Sequence, residues 1–302
     1  MKQTNHHSQK TKTLFFSALL LITAMIWGMG FIVVRNSLDY MSSLYLLAFR
    51  FTVGFLLMAL ISVKLFRQLN KTYFLQGMIL GGCMFLAFCL QTEAVKYTTV
   101  GKNAFLTAAY VVFVPILYWL FYRKRPTMQI LGATFLCFVG IGLLSIDSNL
   151  TINFGDLLTL ICAIFYALHI VFSAKFFEKG SSPVILNVLQ LGFAALFAWI
   201  CALIEGPIPI RSFNQNAIIG ILYLGIFCTM LAFLFQAIGQ KHTSPSIASI
   251  LLSTESVFGV IFSTIFLNEE MTLRMLLGCS IIFIALILTQ VELKLPKEKK
   301  FK

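Results

Sequence analysis

The stretch Leu14–Val34 reads LFFSALLLITAMIWGMGFIVV, twenty-one consecutive residues without a charged side chain. An α-helix needs about 20 apolar residues to cross a hydrocarbon core of about 30 Å. The stretch is too long for the apolar region of a signal peptide, and no small-x-small cleavage pattern follows it. It therefore predicts a membrane-spanning helix that is retained.

The composition of the whole chain is also typical of a membrane protein. Of its 302 residues, 59% are hydrophobic and only 11% are charged, whereas about a quarter of the residues of a soluble protein are charged. This excludes soluble enzymes, nucleic-acid-binding modules and secreted disulfide scaffolds. All seven cysteines fall in apolar stretches without a CxxC pair, so we expect free thiols and no metal site.

Dividing the sequence where charged and turn residues interrupt apolar runs of sufficient length predicts ten membrane-spanning helices. They are Leu14–Val34, Met41–Val63, Phe74–Leu90, Ala104–Tyr122, Met128–Ile146, Asp156–Ala174, Pro183–Ile204, Ala217–Ala237, Ser246–Leu267 and Thr272–Val291.

Charge asymmetry predicts the orientation of these helices. The termini and the even-numbered loops carry 17 Lys and Arg residues, and the odd-numbered loops carry 5 when Arg274, at the start of the tenth helix, is counted with them; Arg50 lies within a helix. By the positive-inside rule, both termini face the cytoplasm. We expect the protein to lie in the plasma membrane, which is the inner membrane of a cell that has two membranes.

An internal repeat divides the ten helices into two sets of five. Aligning Cys83–Thr127 with Cys228–Thr272, at an offset of 145, gives 13 identities in 45 positions, including Gln91 with Gln236. A five-helix unit duplicated in tandem inserts with opposite topology in its two copies. We therefore expect two inverted halves, 14–146 and 156–291, joined by an outer linker at 147–155 and flanked by cytoplasmic tails at 1–13 and 292–302.

Several short motifs resemble the EamA-type branch of the drug/metabolite transporter superfamily. They are IWGMGF at 26–31, AFRF at 48–51, AVKYTT at 94–99, and STESVF at 253–258 followed by LNEEMT at 267–272. The resemblance covers nearly the whole chain and implies ten helices in two five-helix repeats. Two positions depart from the family pattern: Ser256 replaces a usual proline, and Lys124 replaces a usual glutamate.

Three ionisable residues lie at predicted membrane depth: Arg50, His169 and Glu255. Each costs about 2.5–3.5 kcal/mol at the middle of a helix and should face the bundle interior. Burial disfavours the charged form of Glu255, which would let it carry a proton or pair with a cationic substrate group. The alternative is a neutral glutamic acid that hydrogen-bonds to a neighbouring helix. The repeat places Tyr110 at the position equivalent to Glu255.

His169 belongs to a row of polar residues on one face of the sixth helix, Thr159, Cys162, Tyr166, His169 and Ser173. Such a face either lines a water-filled cavity or makes interhelical hydrogen bonds. Arg50 must find a carboxylate, carbonyl groups or a substrate anion; a structural role is favoured, with gate formation as the alternative. Trp27 is a candidate for the wall of a cavity.

The sequence thus predicts a secondary active transporter, by resemblance an exporter, of a small polar or amphipathic metabolite such as an amino acid. Proton coupling through Glu255 or His169 is a hypothesis, and no cofactor is expected. A multidrug exporter of cationic compounds is the alternative. A membrane-embedded enzyme and a passive channel are disfavoured, because one Glu and one distant His give little basis for catalysis.

Overall fold

The computed structural model describes residues 2–98, 100–145, 153–207, 214–267 and 271–290. Within these residues all regular structure is helical. The helices are α1 (Lys2–Ser37), α2 (Ser43–Ser62), α3 (Lys71–Ala94), α4 (Val100–Ala108), α5 (Tyr110–Tyr122), α6 (Met128–Ser145), α7 (Phe154–Glu178), α8 (Pro183–Glu205), α9 (Gln215–Tyr223), α10 (Ala232–Lys241), α11 (Pro245–Leu252), α12 (Glu255–Leu267) and α13 (Leu273–Gln290). The tail at 292–302 and most of the linker at 147–155 lie outside the described residues.

Eight helical stretches of the described chain are long and apolar enough to cross a membrane. They are Leu14–Ser37, Ser43–Gln68, Lys71–Ala94, Val100–Tyr122, Phe154–Glu178, Pro183–Glu205, Gln215–Lys241 and Pro245–Phe266. The remaining two predicted segments correspond to shorter apolar helices, Met128–Leu143 and Leu273–Thr289. The chain is therefore a multi-pass membrane protein, and ten crossings remain a prediction.

Short polar side chains set the first residue of several helices. A side-chain oxygen just before each of α2, α3, α7, α9 and α11 accepts a hydrogen bond from a backbone N–H of the first turn; these caps are Ser42, Asn70, Asn153, Asn214 and Ser244. The first N–H groups of a helix have no partner within it, so each cap satisfies a donor that lipid could not.

The two halves of the chain interlock rather than lie side by side. Helix α1 packs against α10, α11 and α12 of the second half, and α7 packs against α3, α4 and α5 of the first half. Helices α2 and α8 pack together, as do α6 and α13. Each half therefore places its first helix against the third and fourth membrane segments of the other, which is the pattern expected of two related units.

Two of the membrane segments are broken at equivalent positions of the repeat. The break between α4 and α5 lies at Ala109, and that between α11 and α12 lies at Ser253 and Thr254. At the offset of 145, Ala109 aligns with Thr254, and the first residue of α5, Tyr110, aligns with the first residue of α12, Glu255. Discontinuous helices of this kind are common where transporters bind their substrates.

Hydroxyl groups around the second break make additional hydrogen bonds to backbone carbonyls at the end of α11. Ser253 donates to the carbonyl of Ile250 at 2.9 Å, and Thr254 donates to that of Leu251 at 2.7 Å. Local hydrogen bonds of this type compete with regular helix hydrogen bonds. They explain why a helix can break inside the bundle without exposing its backbone.

A third irregularity lies in the eighth membrane segment, where Leu224–Leu231 forms a π-helix between α9 and α10. A π-helix inserts extra residues into a turn and is common at functional sites. It contacts α1 and α2 here, so it re-aims side chains toward the centre of the bundle.

Close approach of α1 to α12 depends on Gly28. A Cβ atom added at this position would lie 2.7 Å from the Cβ of Phe258 and 2.9 Å from the backbone nitrogen of Gly259. Small residues at such crossings allow the two backbones to pack directly.

We expect Gly28→Ala to destabilise the protein by about 1–3 kcal/mol, because the added methyl group overpacks the crossing. Gly132→Ala is the matched control, since nothing in the described structure lies within 4 Å of an added Cβ at Gly132, and alanine favours a helix by up to about 1 kcal/mol. Thermal unfolding in detergent measures both. Equal melting temperatures for the two variants would contradict the packing argument.

Candidate substrate-binding site

A cavity lies between the two halves of the bundle, with a volume of about 490 Å³ that includes the space leading to its opening. It extends from the middle of the bundle toward the end where α1 and α3 finish, because Val34 and Val95 line it. We call it the central cavity. Five of the six predicted site residues line it: Trp27, Arg50, Tyr110, Tyr166 and Glu255.

Arg50 places a positive charge on the wall of the central cavity. It is only 2% exposed, its Nε donates to Oγ1 of Thr229 at 3.0 Å, and its guanidinium carbon lies 4.6 Å from the ring centroid of Phe88. The ion pairs of the described residues, Lys96–Glu93 and Lys102–Asp156, do not involve it. A guanidinium stays charged in proteins, so the cavity contains a cation that has no counter-ion among the described residues.

Glu255 and Tyr110 lie together on another part of the wall. The Glu255 carboxyl group and the Tyr110 hydroxyl group are electrostatic neighbours. Both residues are buried, yet neither Oε1 of Glu255 nor the Tyr110 hydroxyl has a hydrogen-bond partner within the described residues. A buried polar atom without a partner costs about 1–3 kcal/mol. Neither atom makes a hydrogen bond of normal geometry, but the Tyr110 hydroxyl group and the Glu255 carboxyl group interact with each other as a hydrogen-bonding pair. A ligand that enters the cavity would therefore compete with this pair for either group.

Comparison with known proteins identifies the family of this chain. The model of the EamA-like transporter family matches residues 14–146 and again residues 153–291. The chain belongs to the EamA-like transporter family. Because one family model matches twice in succession, the chain contains two copies of the same unit, as the resemblance of its motifs predicts.

Known relatives agree with this assignment. An uncharacterized transporter of Archaeoglobus fulgidus is 30% identical, over 94% of this chain and 89% of its own length. The uncharacterized transporter YvbV of Bacillus subtilis is 25% identical, over 95% of this chain and 94% of its own. A crystal structure of another protein matches with a TM-score of 0.75, at 14% identity and over 90% of this chain and 96% of that one, which supports the fold. This EamA-like protein is a multi-pass membrane transporter.

Tyr166 and Trp27 of the transporter contribute mainly their rings to the central cavity, because their polar atoms are already bonded. The Tyr166 hydroxyl donates to Oε1 of Gln91 at 3.1 Å, and Nε1 of Trp27 donates to the carbonyl of Cys228 at 2.9 Å. Together with the Phe88 ring, they form an aromatic wall.

A network of polar residues supports this wall from behind. The Nε2 atom of Gln91 donates to Thr107 at 3.0 Å, and Asn103 donates to Thr159 at 3.2 Å. The network joins α3, α4 and α7. Part of the polar face predicted for the sixth helix is therefore engaged in hydrogen bonds between helices.

His169 lies apart from the other predicted site residues. It does not line the central cavity; its Nε2 atom is 2.8 Å from Oε1 of Gln190, and its ring stands edge-on to Phe233 at 5.7 Å between centroids. It lines a separate, smaller cavity.

Several residues of the site were not predicted from the sequence, and three of them have polar or aromatic side chains that contact Arg50 or Tyr166. Phe88 and Gln91 line the central cavity and Thr229 holds Arg50. Gln91 could have been found, since it matches Gln236 in the repeat. Thr229 could not, because its position depends on the π-helix. No group of His, Cys, Asp or Glu among the described residues could hold a metal ion.

We expect Arg50→Met to leave the free energy of unfolding unchanged or to raise it, because the variant removes a buried cation that lacks a protein counter-ion. Arg50→Lys is the matched control, since it keeps the charge and loses the contacts of the planar group. Thermal unfolding without substrate compares them. A Met variant that melts below the Lys variant would show that Arg50 stabilises the bundle and is not held ready for a ligand.

Proposed function

We propose that this protein is a secondary active transporter of a small zwitterionic metabolite such as an amino acid, and that it works by alternating access. The observation that carries the proposal is the pairing of two unpartnered groups on one cavity. Among the described residues, Arg50 has no counter-ion and Oε1 of Glu255 has no hydrogen-bond partner, and both residues line the central cavity.

Each of these groups suits one end of a zwitterion. The guanidinium of Arg50 can bind a carboxylate through two parallel hydrogen bonds. Ionised Glu255 can pair with an ammonium group, and the Tyr110 hydroxyl beside it can accept a further hydrogen bond. The aromatic wall of Trp27, Phe88 and Tyr166 offers apolar surface to the rest of the molecule.

Proton coupling would arise because a proton and the ammonium group of the substrate compete for the carboxyl group of Glu255. A buried carboxyl group is costly to ionise without a positive partner in contact with it, so in the proposed cycle Glu255 carries a proton when no substrate is bound. A substrate ammonium stabilises the ionised form, so binding would release the proton. Exchange of proton for substrate at a single carboxyl group would couple export of the metabolite to proton entry. His169, in its separate cavity, is the less suitable candidate for this role.

We further propose the orientation and location predicted from the sequence. Both termini would face the cytoplasm of a cell bounded by the plasma membrane, and the central cavity would then open to the outside. Both would follow from the 17-to-5 distribution of Lys and Arg over the loops. No cofactor or nucleic acid has a part in the proposed cycle, and the partners are the substrate, the lipid bilayer and protons.

Export of cationic compounds is the second candidate function. It is favoured by the aromatic wall, because aromatic rings attract organic cations. The charge of Arg50 opposes it, since a cation without a carboxylate would be repelled from the same cavity.

We expect Glu255→Gln to abolish substrate flux driven by a pH gradient in proteoliposomes. Glutamine keeps the shape and hydrogen bonding of the protonated acid but can neither release a proton nor carry a charge. Glu178→Gln is the control, because Glu178 is exposed at the end of α7. Wild-type flux with unchanged pH dependence in the Glu255 variant would rule out coupling through this residue.

A further inference from the structure

The smaller cavity that contains His169 has a polar lining without formal charge. Four carboxamide side chains share it with the imidazole: Asn187 and Gln190 of α8 and Gln236 and Gln240 of α10. We call it the carboxamide cavity. It lies nearer to the end of the bundle where α1 begins, because α8 starts there at Pro183 and α10 ends there at Lys241, next to Phe16 of α1, whose ring stacks on His242.

Most of the carboxamide groups have atoms available for a ligand. His169 and Gln190 bond to each other, and Gln190 donates to Oδ1 of Asn187 at 2.8 Å. Nδ2 of Asn187, Oε1 of Gln236 and both polar atoms of Gln240 have no partner in the described structure, although these side chains are at most 3% exposed. Unpartnered donors and acceptors around one space indicate that the space holds a polar molecule.

The repeat relates the carboxamide cavity to the central cavity. At the offset of 145, Phe88 aligns with Phe233, and Gln91 aligns with Gln236. Ser42 and Ser182 precede α2 and α8, which gives an offset of 140 for the second helix of each half.

That offset pairs Arg50 with Gln190. Three residues of the central cavity, Arg50, Phe88 and Gln91, therefore have their counterparts on the carboxamide cavity. Since the halves are inverted, one cavity faces each end of the bundle.

The ring of Phe233 lies between residues of the two cavities. Phe233 is 1% exposed, and its centroid lies 5.1 Å from that of Trp27 and 5.8 Å from that of Phe88, both on the central cavity. On its other side it meets His169 and lines the carboxamide cavity.

We propose that the carboxamide cavity is a second substrate site on the transport path, uncharged and separated from the central cavity by Phe233. This rests on the proposed function: the two halves exchange conformations during alternating access, so that Phe88 becomes the barrier and the carboxamide cavity opens. Amide N–H groups then donate to the substrate carboxylate, and amide oxygens accept from its ammonium group. Without charges to hold the zwitterion, this site exchanges it readily with the solution at that end.

The test combines two substitutions, Gln236→Leu and Gln240→Leu, in the full-length protein. Zwitterion flux should fall at least tenfold, because the second site loses its polar groups. The melting temperature should not fall, since three unpartnered buried atoms are removed, and the increase in melting temperature on adding the zwitterion should persist at the central cavity. Gln215→Leu, at an exposed position of α9, is the control for the exchange of Gln for Leu. Wild-type flux in the double variant would overturn the proposal.

A second measurement tests the barrier without any substrate. Cys228 lines the central cavity and is 1% exposed. Phe233→Ala should let a small methanethiosulfonate reagent, applied from the end of the bundle where α1 begins, reach Cys228, as detected by mass spectrometry. Phe88→Ala, its counterpart, should not.

Absence of labelling in the Phe233 variant would overturn the arrangement of the two cavities. The two measurements separate the proposals: a wild-type protein that transports no zwitterion refutes the proposed function, while labelling of Cys228 still decides whether Phe233 separates the cavities.

Discussion

A guanidinium buried in an apolar bundle without a counter-ion is the constraint on which the site depends. Arg50 is held by one threonine hydroxyl and by the face of Phe88, and neither compensates its charge. Removing a cation from water costs several kcal/mol. The π-helix supplies Thr229, which holds this charge on the wall of the central cavity, and the broken helix places Glu255 on the wall of the same cavity.

The two halves share a fold but differ in charge. Repeat-related positions hold Arg50 and Gln190, and likewise Tyr110 and Glu255, so each charged residue has an uncharged counterpart. Symmetry of the fold would allow the halves to exchange conformations, whereas the asymmetry of charge gives one cavity the greater affinity for ions. In this way the cavity at one end of the bundle could bind a molecule and the cavity at the other end could release it.

Much of the fold could be predicted from the sequence because hydrocarbon imposes a simple requirement. Runs such as Leu14–Val34 must be helical, since no other local structure satisfies the backbone in lipid. The breaks at Ala109 and Thr254 could not be predicted, because nothing in the local sequence distinguishes a serine that caps a break from one that packs. Arg50, Tyr110 and Glu255 were found through charge and repeat position, but the separation of His169 from them depends on packing against Phe233.

Binding of a matched series of ligands tests the central claim most directly. The series consists of an amino acid, its methyl ester, which lacks the carboxylate, and its analogue without the amino group. Of the three ligands, only the zwitterion should raise the melting temperature of the purified protein. It is the only one that satisfies both Arg50 and Glu255, and binding stabilises the folded state. An equal increase with the ester or with the deaminated acid would contradict the account, since one of the two groups would then have no part in binding.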